Sequence, residues 1–378
     1  MLIVARRLGS CCKHGFPVLR DSMRVATTRA AWLSAVGLVL LASLALPSAR
    51  AAFDGTQKPC PRGSVGAVIG GKRACLKVGQ PCKQALDRRY HHYGFHCHTG
   101  RLIRPTKPKP PEVFTRRVDV GGYRLAISCR GKGSPTVLLE SGAGWSSGAW
   151  VLLEPRVAQT TRVCSYDRAG LGASGPRRPP GPVPAAMVVE ELHRLLAGAG
   201  ISPPYVLGGW SLGGFFNRLY TKRYPAEVVG LVGVDGTPIG LPGDPFLNPP
   251  GQPPIDLIGG PGLPDSFYLA AAGAELAASP DLGARPLVLL THGREDGAPA
   301  DLEALWLKLQ KQVAHLSTSS LLVRADNAGH GIQLEAPNLT AEAFRQVIAA
   351  VRARAPLTDC AGTPIPRMGG TCLDPTSP

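Results

Sequence analysis

The sequence predicts an α/β fold, an eight-stranded, mostly parallel sheet with helices on both faces. Three observations predict it. From residue 113 onward, apolar runs of strand length alternate with stretches of helical periodicity, the pattern of a sheet covered on both sides. Around residues 205–216 an apolar run, a glycine-bounded turn and a helical segment follow one another directly, as in Tyr205-Val206-Leu207, Gly209-Trp210-Ser211-Leu212-Gly213 and Gly214-Phe215-Phe216. Composition allows a sizeable core, since 44% of the 378 residues are hydrophobic and only 18% are charged.

Three segments precede that sheet. Residues 32–46 form a nearly unbroken apolar stretch with Arg24 and Arg29 upstream and Ala49-Arg50-Ala51 downstream. The run is short for a membrane span and ends in small residues, so residues 1–51 are expected to be a secretory signal, with Met23 an alternative start and the mature chain beginning near Ala52. An uncleaved anchor is the competing reading. Residues 52–104 form a basic, Cys-rich module whose Cys60, Cys75, Cys82 and Cys97 are separated by 14, 6 and 14 residues. Such a short segment cannot bury enough apolar surface to hold itself together, so two disulfides are expected, in any of three pairings. A metal site is the alternative, because His91, His92, His96 and His98 crowd around Cys97; the spacing lacks the short Cys pairs of zinc knuckles, and no metal or cofactor is expected. Residues 105–112 are a stiff Pro-rich linker.

Charge separates these parts. The net +16 is spread as +6 over residues 1–51, +9 over residues 52–112 and +1 over residues 113–378. The basic module suits adhesion to an anionic cell-envelope polymer or serves as a solvated spacer, and nucleic acid is not expected as a partner.

In the large domain the expected strands are 116–120, 123–129, 136–140, 162–166, 204–208, 228–234, 286–291 and 319–324. Helices are expected near 148–158, 184–198, 212–224, 299–314 and 339–354. The turn after the fifth strand carries the chemistry. A serine becomes a useful nucleophile when its hydroxyl stands clear of the backbone, beside a base and close to amide donors. Glycines two residues before and after Ser211 leave room for that strained position. A base must then take the Ser211 proton, and His330 lies in a glycine-flanked loop after the eighth strand.

Five stretches in this order make residues 113–356 resemble the α/β-hydrolase fold family. They are residues 134–144 ending Ser141-Gly142-Ala143-Gly144, the run Tyr166-Asp167-Arg168-Ala169-Gly170-Leu171-Gly172, the Ser211 turn, Thr291-His292-Gly293-Arg294-Glu295-Asp296 and Asn327-Ala328-Gly329-His330. The resemblance implies a triad of Ser211, His330 and Asp296, with Asp235, at the end of the sixth strand, as the alternative acid and Glu295 behind both. It implies an oxyanion hole from the amides of Leu212 and Ala143, with Gly144 or Trp145 as alternatives to Ala143; the family's usual His-Gly start to that loop is replaced here by Ser141-Gly142. His292 and the Asp167-Arg168 pair read as structural. A small cap is implied at residues 237–285, where Leu241, Phe246, Leu247, Ile255, Leu257 and Ile258 are expected to wall an apolar pocket. The family's strand order makes Cys129 and Cys164 neighbours and hence a disulfide, and Cys360 and Cys372 are expected to close a tail at residues 357–378.

The resulting expectation is an exported serine hydrolase that cleaves a small to medium apolar ester, or less readily an amide, through an acyl-enzyme. An acyltransferase or a cofactor-free peroxidase would use the same triad. A different class of reading is an envelope-binding protein whose hydrolase domain is inert.

Overall fold

The computed structural model describes residues 60–104, 113–241, 256–259, 263, 265–279, 281–294 and 299–376. The expected signal segment and linker lie outside them. Contacts divide the chain into two compact units, Met1–Lys109 and Pro110–Pro378.

The first unit is built from two small hairpins and one turn of helix. Strands β1 (Val65–Ile69) and β2 (Lys72–Leu76) pair antiparallel across Gly70-Gly71. Both glycines have positive φ, 61° and 80°, which a two-residue hairpin turn with the right twist demands. After helix α1 (Asp87–His91), strands β3 (His96–His98) and β4 (Arg101–Ile103) pair antiparallel. Among the described residues its buried core is Ala67, Leu76, Tyr90, Phe95, Cys97 and Leu102, so crosslinks have to supply much of the stability. They are Cys60–Cys75 and Cys82–Cys97, each closing a separation of 15 residues, worth about 3 kcal/mol apiece on chain-entropy grounds.

The second unit holds a nine-stranded sheet. Its strands are β5 (Val113–Asp119), β6 (Arg124–Arg130), β7 (Thr136–Glu140), β8 (Val163–Asp167), β10 (Tyr205–Trp210), β11 (Val228–Val234), β14 (Leu287–His292), β15 (Ser320–Ala325) and β16 (Gly370–Leu373); β9 (Val183–Pro184), β12 (Leu257–Ile258) and β13 (Phe267–Tyr268) form a separate small sheet. The spatial order is β5-β6-β8-β7-β10-β11-β14-β15-β16. From β8 to β15 the pairing is parallel, while β5, β6 and β16 add antiparallel strands at the edges. Cys129 on β6 stands in register with Cys164 on β8, Cα to Cα 4.0 Å, and the two form a disulfide.

Central strands β7, β8 and β10 are buried along their whole length because both faces are covered. Alternate residues go to opposite cores. Leu138, Leu207, Leu231 and Leu289 face helices α2 (Ala185–Ala199), α3 (Leu212–Arg223), α4 (Ala270–Ala278) and α5 (Ala300–Ala314). Val137, Val206, Val232 and Val288 face α6 (Pro337–Ala353), with Phe344 and Val347 at its centre. A Cβ on Gly208 would lie 2.3 Å from the Phe344 ring, so this glycine sets how closely α6 approaches the sheet.

Two elements differ from expectation. Residues 148–158 are two short turns, Ser147–Trp150 and Glu154–Val157, because Pro155 lacks an N–H to continue a helix and sits instead in a first turn. The ninth strand was not anticipated: Gly370–Leu373, in the supposed tail, pairs with Leu322–Ala325, and Cys360–Cys372 closes the intervening loop. No helix among the described residues is long and apolar enough to cross a membrane.

Candidate active site

The site gathers at the carboxyl ends of β7, β10, β11 and β15, where the strand order reverses direction and leaves a crevice. Ser211 caps the N-terminus of α3 with φ 54° and ψ −124°, a conformation strained for any residue with a side chain. Neighbouring glycines make it achievable. A Cβ on Gly213 would lie 2.2 Å from the Glu140 carbonyl oxygen, and one on Gly209 would lie 2.5 Å from that of Gly213. The turn is pinned on both sides, since the Ser211 N–H donates to the Val234 carbonyl (3.2 Å) and the Thr237 N–H donates to the Ser211 carbonyl (2.8 Å).

His330 is held next to this turn by its own backbone. The Trp210 indole N–H donates to the His330 carbonyl at 2.8 Å, and the two rings lie 5.5 Å apart. Its Nδ1 bonds Asp235 Oδ2 at 2.6 Å, the side of the ring that an orienting carboxylate takes. Asp235 follows β11, is fully buried and has φ 46°. The favoured acid, Asp296, lies outside the described residues.

Asp235 has more partners than a single imidazole. Its Oδ2 also bonds His292 Nδ1 at 2.7 Å, and its Oδ1 accepts from the Trp306 indole (2.9 Å) and the His292 N–H (3.2 Å). Burial alone would raise the Asp235 pKa, but the bonds and charges of His292 and His330 outweigh it and hold the carboxyl well below the usual range. His292 Nε2 in turn meets Glu303 Oε2 at 2.7 Å. Burial would lower the His292 pKa, yet Asp235 first and Glu303 second push it up to about 9. His292 is therefore an imidazolium at neutral pH, bridging two carboxylates. It sits at the end of β14 beside the loop where the sequence placed an acid, the one local hint of this role.

A stability signature follows from the His292 shift. Because its folded pKa lies above the unfolded value near 6.5, the stabilisation is complete below that pH and is lost as pH rises through about 9. Chemical denaturation is expected to show a loss of ~3 kcal/mol over this interval. His292→Gln should flatten it; an equal slope in the variant would exclude this origin.

The loop after β7 faces the same crevice, as a Cβ on Gly142 would lie 3.1 Å from the Ser211 Cβ. Of its three candidate donors, Gly144 already donates to Asp265 Oδ2 (2.6 Å) and Trp145 to the Gly142 carbonyl (3.2 Å). Among the described residues the Ala143 N–H has no such partner. Leu212 is the first residue of α3, with its N–H at the positive end of the helix.

Arg168 builds this loop from behind. Its buried guanidinium donates to Glu140 Oε1 (2.5 Å), to the carbonyls of Ser141 (2.7 Å) and Gly142 (2.6 Å), and to both oxygens of Asp265 (2.9 and 2.6 Å). The Phe216 and Phe267 rings flank it at 5.7 and 5.8 Å. Asp167, its neighbour, accepts from the Ala173 N–H in the turn that follows and from the Ser147 N–H of the turn at Ser147–Trp150. The structural role expected of the pair is thus divided: the arginine serves the loop at Ser141–Gly144.

Of the expected pocket wall, Leu241 is a core residue at 3% exposure, Leu257 and Ile258 are half-buried, and Phe246, Leu247 and Ile255 lie outside the described residues. Trp145 was missed. It is 45% exposed and stands edge-on to Trp210 at 5.4 Å, presenting apolar surface beside the Ser211 turn.

Comparison with known proteins agrees with this architecture. The alpha/beta hydrolase fold family matches residues 135–296. Over these residues the chain has the α/β-hydrolase fold that the sheet order describes. It is similar to the protein YqjL of Bacillus subtilis, 28% identical over 246 residues that cover 60% of this chain and 89% of the other. An AB hydrolase superfamily protein of Gibberella zeae is 33% identical over 129 residues, covering 32% of this chain and only 40% of that one. Among solved structures, a thermophilic esterase from Thermogutta terrifontis superposes with a TM-score of 0.47 at 21% identity, covering 63% of this chain and 99% of that one.

Proposed function

We propose that the chain is an exported serine esterase with Ser211 as nucleophile, His330 as general base and Asp235 as the orienting acid. The observation that carries this reading is the 2.6 Å bond from His330 Nδ1 to buried Asp235, beside a serine held at positive φ. The Ser211 hydroxyl gives its proton to His330 Nε2 as Oγ attacks the ester carbonyl. Negative charge on the carbonyl oxygen is met by the amides of Ala143 and Leu212. Collapse expels the alcohol, which takes the proton from His330, and water repeats the cycle to release the acid. Trp145 and Trp210 favour an apolar acyl or alcohol group. Four disulfides fit an oxidising compartment outside the cytoplasm. The basic module would hold the enzyme to an anionic envelope polymer, with retention that falls as salt rises.

Treatment with a fluorophosphonate probe tests the nucleophile. Intact-mass analysis is expected to show one adduct on the wild type and none on Ser211→Ala. A folded wild type that stays unlabelled would remove Ser211 from the chemistry. Untreated protein is then assayed on esters of increasing chain length, with an added alcohol acceptor to separate hydrolysis from acyl transfer.

A further inference from the structure

The histidines of the small module converge on one point. Asp87 and His91 stand one helical turn apart on α1, and His96 enters from β3 beside Cys97. His91 Nε2, His96 Nδ1 and Asp87 Oδ2 form a triangle with sides of 2.7, 3.0 and 3.1 Å.

Hydrogen bonds alone do not satisfy that triangle. Two imidazole nitrogens bring at most two protons to it, and the carboxylate brings none. With a proton on both nitrogens, two N–H groups face each other across 2.7 Å. With one, the bare nitrogen turns its lone pair on the carboxylate oxygen at 3.0 or 3.1 Å. With none, all three sides are repulsive. Every arrangement of protons leaves at least one repulsive side, and a cation bound to all three atoms removes it.

We propose that Asp87, His91 and His96 bind a divalent transition-metal ion, zinc in the first instance. Two imidazoles and one carboxylate are a ligand set that zinc accepts. An ion about 2.0–2.1 Å from each atom would sit about 1.1 Å out of their plane, so the three ligands make the base of a pyramid and leave a further coordination position open. That position faces solvent, for the side chains of His91 and His96 are 51% and 37% exposed.

The surroundings hold the ligands in place. The Cys97 N–H donates to Asp87 Oδ1 at 2.6 Å, which aims Oδ2 at the histidines, and the Cys82–Cys97 disulfide fixes the strand that delivers His96. This partner is already made without metal, so the module is preformed and binding need not fold it. The sequence offers no ligand motif because Asp87 and His96 come from different elements. It also drew attention to Cys97, which the disulfide consumes.

The test uses the full chain, stripped with a chelator and dialysed against Zn²⁺, with bound metal counted by mass spectrometry and affinity measured by competition. One Zn²⁺ per chain is expected. Asp87→Asn, which keeps the acceptor for Cys97, and His96→Ala should each weaken binding at least ~10-fold, whereas His92→Ala should not. Bound Co²⁺ should give visible absorption that the His91→Ala/His96→Ala double variant lacks. Peptide mapping of both disulfides shows that each variant has folded. Zn²⁺ should also protect the rings of His91 and His96 in the wild type from acylation by diethyl pyrocarbonate. Zinc retention unchanged in the double variant, or no protection of those rings, would overturn the assignment.

Discussion

Asp235→Asn is expected to lower kcat about ten-thousand-fold with little change in KM. An amide at this position offers its NH₂ where His330 Nδ1 now meets Oδ2, so the imidazole must turn a lone pair toward it and carry its proton on Nε2. In that tautomer His330 cannot accept from Ser211. The developing imidazolium also loses the negative charge that stabilises it. The comparison that gives the experiment its force is Asp296→Asn, which should keep kcat within a few-fold of the wild type. If the Asp296 variant loses more activity than the Asp235 variant, the acid has been assigned to the wrong strand. Because Asp235 also receives His292, the same substitution should reduce the alkaline stability slope to the part that Glu303 sustains, and that second readout depends on no substrate.

The next largest effect is expected at Arg168. Arg168→Met leaves the carboxylates of Glu140 and Asp265 buried without their cation, and removing one partner of a buried ion pair costs about 3–5 kcal/mol. Arg168→Lys should rescue little, since a single ammonium cannot reach two carboxylates and two carbonyls from one plane. The loss should extend to catalysis. Once the carbonyls of Ser141 and Gly142 are released, the Ala143 amide is no longer fixed, and misplacing one oxyanion donor costs about a hundred- to a thousand-fold in kcat. Urea titration and steady-state kinetics on one preparation check both parts. A wild-type midpoint would show that this network does not support the fold.

How much of this could be read from residue order depends on whether the signal was local. The Ser211 turn and the expected strands were legible because periodicity and glycine spacing are contiguous features, while the Cys129–Cys164 pair followed from the strand order that the family resemblance implies. His330 stood out in the sequence because glycines frame it. The choice between the two candidate acids did not. Asp235 and Asp296 both stand just beyond an apolar strand, and only the path of the backbone, φ 46° at Asp235, decides where the carboxylate points. His292 was discounted for the same reason, because its partners Asp235 and Glu303 come from other parts of the chain. Arg168 was read through its neighbour Asp167, although five of its hydrogen bonds reach residues at least 26 positions away. Strand β16 is four residues long, with glycine at its start, too short to show a period.

That last strand changes what counts as the end of the enzyme. Without Gly370–Leu373, the outer side of β15 would be an open row of amide and carbonyl groups next to Leu321 and Val323, a template on which another chain can add. Residues 370–373 thus cover this margin of the sheet, and the Cys360–Cys372 link latches that cover only where thiols oxidise. Reduction of that link is expected to loosen the cover and leave the β15 margin open to pairing with a second chain.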